Sequence, residues 1–411
     1  MKTIHNFLLS FALLFALTVV LPADLNGCTS AIFTGKVTAD GRPIMWKHRD
    51  TGQPNNRVDK YKGEKYAFIA LVNSNTKGNS AWSGTNEAGL SIMNTASYNL
   101  NTIEDLKKNN VSYVMYQALS KCATLAEFEQ LLDEFRPLAL EANIAVIDAQ
   151  GGAAYYECAE DKWTKLDAND PRIAPQGYIA YSNHSFTGRF EQGSGYVRYN
   201  TAISIINEAL NTGKKITPQW VAANLSRSFR HSLLGIDLVQ LMGDNTATVS
   251  ALGNSSGYFI DQDFIPRLSS TSVTIAHGVK PGDDPSMSVI WTILGYPPLG
   301  IAIPTMVNLD IPQFMTKSQD SENALICDQV LEIKARDIFN ISRGNGQSYF
   351  NFRLLYNKYM KAIAPIEQEI FTQFYTLMDQ WRSGTKPNSK QLTQLTTNTY
   401  NQYTQIIPRI N

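Results

Sequence analysis

The chain has few cysteines, no excess of charge of either sign, and no long hydrophobic run beyond its N-terminus. Four cysteines in 411 residues are too few for a disulfide scaffold. The 36 basic and 36 acidic side chains balance, so the sequence lacks the excess of positive charge that is typical of a nucleic-acid-binding protein. No later stretch approaches the ~18 apolar residues of a membrane span. With 43% hydrophobic residues, the sequence predicts a folded globular protein without nucleic-acid partners or a membrane span.

The start of the chain is typical of an export signal. Lys2 supplies a positive charge, and the apolar run of residues 7–21 contains only two polar residues. About 15 apolar residues suit the hydrophobic part of a signal and are too few to cross a bilayer comfortably. We therefore expect residues 1–27 to be removed and the mature protein to be exported, to the periplasm or outside the cell.

The position of Cys28 depends on where this signal is cut. Cleavage after Ala23 or after Gly27 fits the sequence, and the second leaves Cys28 as the first residue. A free α-amino group, with a usual pKa of about 8, can take the proton of its own thiol. The alternative is a lipidated Cys28 on a non-catalytic surface binding protein. Asn26 fits a lipid-attachment box poorly, and β-prone residues follow at once.

The apolar pattern predicts strands first and helices last. Strands are predicted at 28–34, 42–47, 66–72, 89–94, 144–148, 153–158, 178–182, 272–276 and 287–294, with a hairpin turn at Asp40-Gly41 and another turn at 85–87. Helices are predicted at 112–121, 125–135, 196–210, 218–225, 322–339 and 349–381, with one more beyond residue 384. Pro365 is expected to kink or divide the long helix. We interpret 28–307 as one mixed α/β domain and 308–411 as a helical C-terminal extension.

Five segments carry a family resemblance. They are Cys28-Thr29-Ser30 with Lys47-His48-Arg49-Asp50, Asn86-Glu87-Ala88-Gly89-Leu90 followed by Asn94, Ser182-Asn183-His184, Ser194 to Tyr199 with Arg198, and Trp291 to Pro297. Together they resemble the N-terminal-nucleophile (Ntn) cysteine hydrolases of linear amides. That superfamily includes choloylglycine hydrolases, penicillin V acylases, acyl-CoA:6-aminopenicillanate acyltransferases, acid-ceramidase-like enzymes and a dipeptidase family. Lys47 stands where bile-salt hydrolases usually have arginine, so the resemblance does not extend to bile-salt recognition.

The resemblance implies an α+β fold, a four-layer αββα sandwich of two antiparallel sheets between helices. It also implies hydrolysis of a non-peptide C–N bond in a small N-acyl amide, through a thioester on Cys28 and without a cofactor. Asp50 is expected to accept a hydrogen bond from the N-terminal ammonium, and Asn183 to donate one to the oxyanion. Arg198 is expected to lower the thiol pKa or to hold Asp50.

Other residues complete the expected site. A backbone N–H near Asn94 is the expected second oxyanion donor, and Lys47 and His184 are expected to line the pocket. The histidines lack the spacing of a metal site, so no metal is expected. Three further cysteines are expected to be buried thiols. A dipeptidase or an acyltransferase of the same superfamily is the alternative activity, and a homo-oligomer is compatible with the sequence.

Overall fold

The structure is a computed structural model that describes residues 27–100, 110–242, 257–342 and 348–408. Apart from Gly27, the predicted signal segment lies outside the described residues.

The strands, in chain order, are β1 (Cys28–Phe33), β2 (Ile44–Asp50), β3 (Asn56–Tyr61), β4 (Phe68–Asn73), β5 (Ser83–Asn86), β6 (Ser91–Ala96), β7 (Ala142–Ile147), β8 (Ala153–Cys158), β9 (Trp163–Asp167), β10 (Tyr178–Tyr181), β11 (Arg230–His231), β12 (Ile236–Asp237), β13 (Tyr258–Ile260), β14 (Ser270–His277), β15 (Val289–Leu294), β16 (Ile303–Thr305), β17 (Ile341–Ser342) and β18 (Ser348–Asn351). The α-helices are α1 (Val111–Lys121), α2 (Leu125–Glu134), α3 (Tyr196–Asn211), α4 (Pro218–Trp220), α5 (Leu238–Met242), α6 (Leu325–Ile333), α7 (Phe352–Leu354), α8 (Lys361–Arg382) and α9 (Ser389–Tyr403). Shorter 3₁₀ turns lie at Pro285–Met287 and Gln313–Met315, and π-helical turns at Val221–Leu225, Lys334–Ile338 and Leu355–Met360.

Two antiparallel sheets form the centre of the molecule. The first has six strands in the order β10-β1-β2-β14-β15-β16, and the second has seven strands, β3 to β9, in sequence order. Side chains of the second sheet alternate between two cores, as the two-residue period of a strand requires. On β7, Ala145 and Ile147 face the core shared with the first sheet, whereas Ile144 and Val146 face α1 and α2.

Helices cover both outer faces, which gives the predicted four-layer αββα arrangement. α1 and α2 pack on the second sheet, while α3, the residues 218–225, α6 and α8 pack on the first. The ring of Trp291, on β15, stacks on Phe371 of α8 with centroids 3.9 Å apart. The C-terminal helices therefore share the core of the first sheet. The division of the chain at residue 307 stays a prediction.

Two predicted helices differ from the structure. The predicted helix 322–339 begins only at Leu325 and ends in the π-helical turn Lys334–Ile338. The predicted helix 349–381 begins as strand β18, and Pro365 lies inside α8 without dividing it. The irregular hydrogen bonding expected at a proline occurs one turn earlier, in the π-helical turn Leu355–Met360.

Two further features concern the cysteines and the helices. All four cysteines are buried free thiols. Across the described ranges, no helix has both the length and the apolar character that a bilayer span needs.

Candidate active site

Cys28 lies where the first sheet meets a cavity of about 200 Å³. It begins β1, between β10 and β2, and is only 8% exposed. Its cross-strand partner is Arg49, so Asp50 lies one residue further along, beside the position of Gly27. The cavity wall is completed by polar groups of β2 and β6 and by the apolar side chains Trp82, Ala96, Val111, Leu140 and Ala142.

Asn183 and Arg198 hold the backbone of Cys28. The Oδ1 atom of Asn183 accepts hydrogen bonds from the Cys28 N–H at 3.1 Å and from Arg198 Nη2 at 2.8 Å. Arg198 Nη1 donates to the Cys28 carbonyl and to Thr29 Oγ1, both at 2.9 Å. Ser182 Oγ donates to the same carbonyl at 3.0 Å. The predicted nucleophile, Asn183 and Arg198 are thus brought together.

The orientation of Asn183 differs from the expected one. Its oxygen, rather than its N–H, faces Cys28, because Nδ2 donates to the Ala96 carbonyl at 3.0 Å. An oxyanion contact would need the second Nδ2 hydrogen, so that role stays a prediction.

Arg198 reaches the site because the start of α3 packs closely against Ser182 and against Arg198 itself. Gly195, which precedes the helix, has a φ of 76°. A side chain there would collide with Ser182 Oγ and would come within 2.5 Å of Arg198 Nη2. Glycine is therefore required at this position. Arg198 is 1% exposed, and burial, together with the neighbouring Arg267, lowers its pKa to about 10.

Asp50 is held by a hydrogen-bond network that the sequence did not predict. Ser270 Oγ donates to Asp50 Oδ1 at 2.6 Å, and Arg267 Nη2 lies 2.9 Å from Asp50 Oδ2. Arg198 Nη1 is more distant, at 3.9 Å from the same oxygen. A β-bulge between Ser270 and Ser272 places Ser270 opposite Asp50.

His48 completes this network. Its Nε2 lies 2.8 Å from Ser270 Oγ. Burial lowers the pKa of His48 to about 4, so the ring is neutral at pH 7. Because Ser270 gives its hydroxyl hydrogen to Asp50, its oxygen accepts from His48 Nε2–H and from the Arg267 backbone N–H at 3.0 Å.

Lys47 and Asn94 form the opposite wall of the cavity. Lys47 Nζ donates to Asn94 Oδ1 and to the Trp82 carbonyl, both at 2.8 Å. Lys47 is 1% exposed, and burial lowers its pKa to about 7, with Arg49 adding to the effect and Cys28 opposing it. The hydrogen bond from Lys47 occupies the Asn94 amide oxygen, which leaves the Asn94 NH₂ group as the end of the side chain that can donate to another group.

His184 is placed outside this cavity. Its ring stacks on Tyr196 with centroids 4.3 Å apart, and Nδ1 lies 3.4 Å from the Ser194 carbonyl. It follows Asn183 in sequence but does not line the space beside Cys28.

Arg49 also lines the cavity, and the sequence did not indicate its contacts. Its guanidinium lies over the Trp82 ring at 4.7 Å and donates to Asn56 Oδ1 at 2.5 Å and to Asn73 Oδ1 at 2.9 Å. Stacking and two amide contacts hold this charge at the cavity.

The cavity wall contains strained backbone. Ala139 and Glu141, on either side of the lining residue Leu140, have φ values of 42° and 47°. Left-handed backbone at residues other than glycine costs of order 1–3 kcal/mol each and is concentrated at ligand sites. Among the described residues, no group of three or more His, Cys, Asp or Glu side chains is placed to hold a metal.

No protein-family model matches the chain, and no curated protein matches it. Solved structures that are similar to it include the N-acylethanolamine-hydrolyzing acid amidase ortholog of Caenorhabditis elegans, at 14% identity and a TM-score of 0.38, covering 63% of this chain and 93% of that protein. Penicillin V acylase from Agrobacterium tumefaciens is also 14% identical, with a TM-score of 0.38 and coverage of 69% and 87%. A variant of conjugated bile acid hydrolase from Clostridium perfringens is 13% identical, with a TM-score of 0.37 and coverage of 68% and 93%. Penicillin V acylases and bile acid hydrolases are two of the groups that the sequence motifs resemble. At such low identity, the function has to be inferred from the residues around Cys28.

Proposed function

We propose that the protein is an exported cysteine amidohydrolase that cleaves the C–N bond of a linear N-acyl amide. The observation that supports it most is the position of Cys28. It starts a central strand, lines a cavity, and has its backbone nitrogen held by Asn183 Oδ1. If the chain begins at Cys28, that nitrogen is the α-amine, next to its own thiol.

The chemistry follows from these groups. The α-amine takes the thiol proton, and the thiolate attacks the acyl carbon to form a tetrahedral oxyanion. The donors that we propose for this oxyanion are the second Nδ2 hydrogen of Asn183, a backbone N–H near Asn94 and the Asn94 NH₂ group, whose oxygen is already held by Lys47 Nζ. The C–N bond then breaks, the α-ammonium returns the proton to the leaving amine, and the acyl group remains as a thioester on Cys28. Water, deprotonated by the same amine, releases the acid and restores the thiol.

Gly27 supports a mature N-terminus at Cys28. A side chain on Gly27 would collide with Arg267 Nη2 and would lie 2.8 Å from Asn183 Oδ1 and 2.9 Å from Arg198 Nη2. The bond between Gly27 and Cys28 therefore lies among the charged groups of the site. Signal cleavage after Gly27 would free Cys28 directly, whereas cleavage after Ala23 would require self-cleavage of this bond.

The cavity favours a small or extended acyl group. Its volume is about 200 Å³, and its apolar wall can contact a short hydrocarbon chain. A lipidated Cys28 fits less well, because the residue is 8% exposed and continues directly into a buried strand.

The test begins with the mass of the mature N-terminus. We expect a free Cys28, whereas a diacylglyceryl adduct would favour the lipid-anchored binding protein. The purified protein is then assayed against N-acyl amino acids, N-acylethanolamines, penicillin V, bile-acid conjugates and dipeptides, with and without hydroxylamine as an acyl acceptor. Hydroxamate formation that exceeds hydrolysis would indicate an acyltransferase, and preference for dipeptides would indicate a dipeptidase.

Cys28→Ala should abolish turnover of whichever substrate is hydrolysed. Cys122→Ala is the matched control, because Cys122 is a buried thiol at the C-terminal end of α1 and does not line the cavity beside Cys28. Turnover that survives Cys28→Ala would overturn the proposal.

A further inference from the structure

The loop that joins β13 to β14, together with the first residue of β14, reaches Asp50 through two side chains. Arg267 Nη2 lies 2.9 Å from Asp50 Oδ2, and Ser270 Oγ donates to Asp50 Oδ1 at 2.6 Å. The loop is braced internally, since the Leu268 N–H donates to Asp261 Oδ2 at 2.9 Å. It carries none of the sequence motifs, yet it contributes an ion pair to the predicted site.

The C-terminal helices hold this loop in place. Lys334, in the π-helical turn after α6, donates from Nζ to the Leu268 carbonyl at 2.5 Å and to the Ser270 carbonyl at 3.1 Å. Its ammonium also lies 5.2 Å from the centre of the Tyr296 ring. The position of Arg267 therefore depends on a residue more than sixty positions later in the chain.

The ion pair of Asp50 and Arg267 contains polar atoms that could form further hydrogen bonds. Within the described part of the chain, the buried atoms Asp50 Oδ2, Arg267 Nε and Arg267 Nη2 have no aligned hydrogen-bond partner. Buried polar atoms of this kind require an explanation. Gly27 packs against Arg267 Nη2, so removal of Gly27 would place the new amine of Cys28 next to this pair.

We propose, on the basis of the amidohydrolase function above, that Arg267 is a positioning residue. It orients Asp50 toward the amine of Cys28 and disfavours protonation of that amine. Lys334 in turn sets the position of Arg267. Asp50 Oδ2 then accepts a hydrogen bond from the amine, and the Arg267 guanidinium keeps the amine neutral and able to take the thiol proton. A cation within 4–6 Å typically shifts a neighbouring pKa by about 1–3 units.

Other charges around Cys28 act on the same amine. The carboxylates of Asp50 and Glu141 favour the ammonium form of the amine, whereas the cations of β2, of α3 and of the β13–β14 loop disfavour it. Tyr98, close to Cys28, stays neutral because burial raises its pKa to about 12. The groups that disfavour the ammonium are Lys47, Arg49, Arg198 and Arg267.

The experiment compares Arg267→Gln, Arg267→Lys and Lys334→Met with Arg336→Gln, a matched control on the same π-helical turn whose arginine is half-exposed. The dependence of kcat/KM on pH is measured with a substrate identified above. We expect Arg267→Gln to move the acid limb upward by about one pH unit and to lower kcat by about 10² with little change in KM. Arg267→Lys should restore most of the activity, and Lys334→Met should shift the profile in the same direction. Arg336→Gln should leave it unchanged.

A second readout needs no substrate. The rate of alkylation of Cys28 by iodoacetamide is followed against pH in the mature protein, with the Cys28→Ala variant as background. A changed pH dependence of alkylation in Arg267→Gln supports the inference even if no amide in the panel is hydrolysed. The alkylation experiment therefore tests the role of Arg267 separately from the proposed hydrolase function. An unchanged alkylation profile, or a loss of thermal stability with no change in either profile, would overturn it. If Arg267→Gln does not fold, the profiles of Arg267→Lys and Lys334→Met decide.

Discussion

A buried ion pair joins the C-terminal helices to the rest of the molecule. Arg227 lies between the π-helical turn Val221–Leu225 and β11, and Glu367 lies on α8. Their contact is bidentate, with N–O distances of 2.6 Å and 2.7 Å, and their side chains are 8% and 6% exposed. The Ala302 N–H also donates to Glu367 Oε1 at 2.8 Å.

We predict that Glu367→Gln lowers the free energy of unfolding by about 3 kcal/mol. Removing one member of a buried pair typically costs about 3–5 kcal/mol, because the remaining charge stays buried without compensation. Glutamine has nearly the same shape and can still accept one hydrogen bond from Arg227, so we expect the lower end of that range. Replacing both residues, as in Arg227→Met with Glu367→Leu, should recover part of the loss.

Urea unfolding followed by fluorescence measures this effect, with the m-value checked for constancy. Glu369→Gln is the matched control, because Glu369 is exposed on the same helix and accepts a hydrogen bond from Gln373 Nε2. Its effect should be within about 0.5 kcal/mol of zero. A loss below about 1 kcal/mol for Glu367→Gln, or one equal to the control, would show that the pair is not buried and that α8 does not pack as described.

Three further predictions concern the site. Asn94→Ala should lower kcat by about 10²–10³ in steady-state kinetics if Asn94 is the oxyanion donor that we propose, and an unchanged kcat would assign that donor elsewhere. The pKa of His48 is about 4 when folded and about 6.5 when unfolded, so the unfolded state binds more protons between these values. Stability should therefore fall as pH drops from about 6.5 to about 4, by at most about 3 kcal/mol, and urea midpoints at pH 7 and 4.5 should show less of this loss in His48→Gln. Gly195→Ala should destabilise the fold by at least about 1–2 kcal/mol and reduce kcat through displacement of Arg198, whereas a neutral result would refute the need for glycine at a φ of 76°.

The parts of the fold that local pattern specifies could be predicted from the sequence. The hairpin of β1 and β2 follows from two β-prone runs around Asp40-Gly41, and its antiparallel register brings Cys28 opposite Arg49. Thr124 caps α2 in the Thr-x-x-Glu pattern that marks a helix start, and it accepts a hydrogen bond from the Glu127 N–H at 3.2 Å. In both cases the decisive contacts lie within about 25 residues of each other.

Strand β5 shows where that reasoning fails. Its residues Ser83–Asn86 are polar or small, and the sequence predicts a turn at 85–87. The strand forms because β4 and β6 hydrogen-bond to it on both sides. The Asn86 side chain is satisfied by the carbonyls of Leu119 and Cys122, at 2.9 Å and 2.7 Å. Such contacts come from tertiary structure and leave no local pattern.

The site residues also fall into those that a sequence motif identifies and those that only tertiary structure brings to the site. Cys28, Asp50, Asn183 and Arg198 lie in recognisable segments, and the structure places all of them around one backbone position. Arg267 lies in a loop without periodicity or motif, and the pairing of β14 with β2 and the contacts of Lys334 with that loop bring it to Asp50. Similarly, the direction of the Asn183 amide depends on the Ala96 carbonyl, which the sequence alone does not place.

The charges around Cys28 favour a negative charge in the cavity. Lys47 and Arg198 are each 1% exposed and are hydrogen-bonded to neutral oxygens; the Asp50 carboxylate lies 3.9 Å from Arg198 and is shared with Arg267 at 2.9 Å. Buried cations without matching carboxylates are costly unless an anion completes the site. Amide hydrolysis through Cys28 would place negative charge there twice, first on the thiolate and then on the tetrahedral oxyanion. The fixed cations need no rearrangement when that charge develops, and electrostatic stabilisation by preorganised groups is usually the largest contribution to catalysis. By the same reasoning, a simple binding protein would gain nothing from them unless its ligand were anionic.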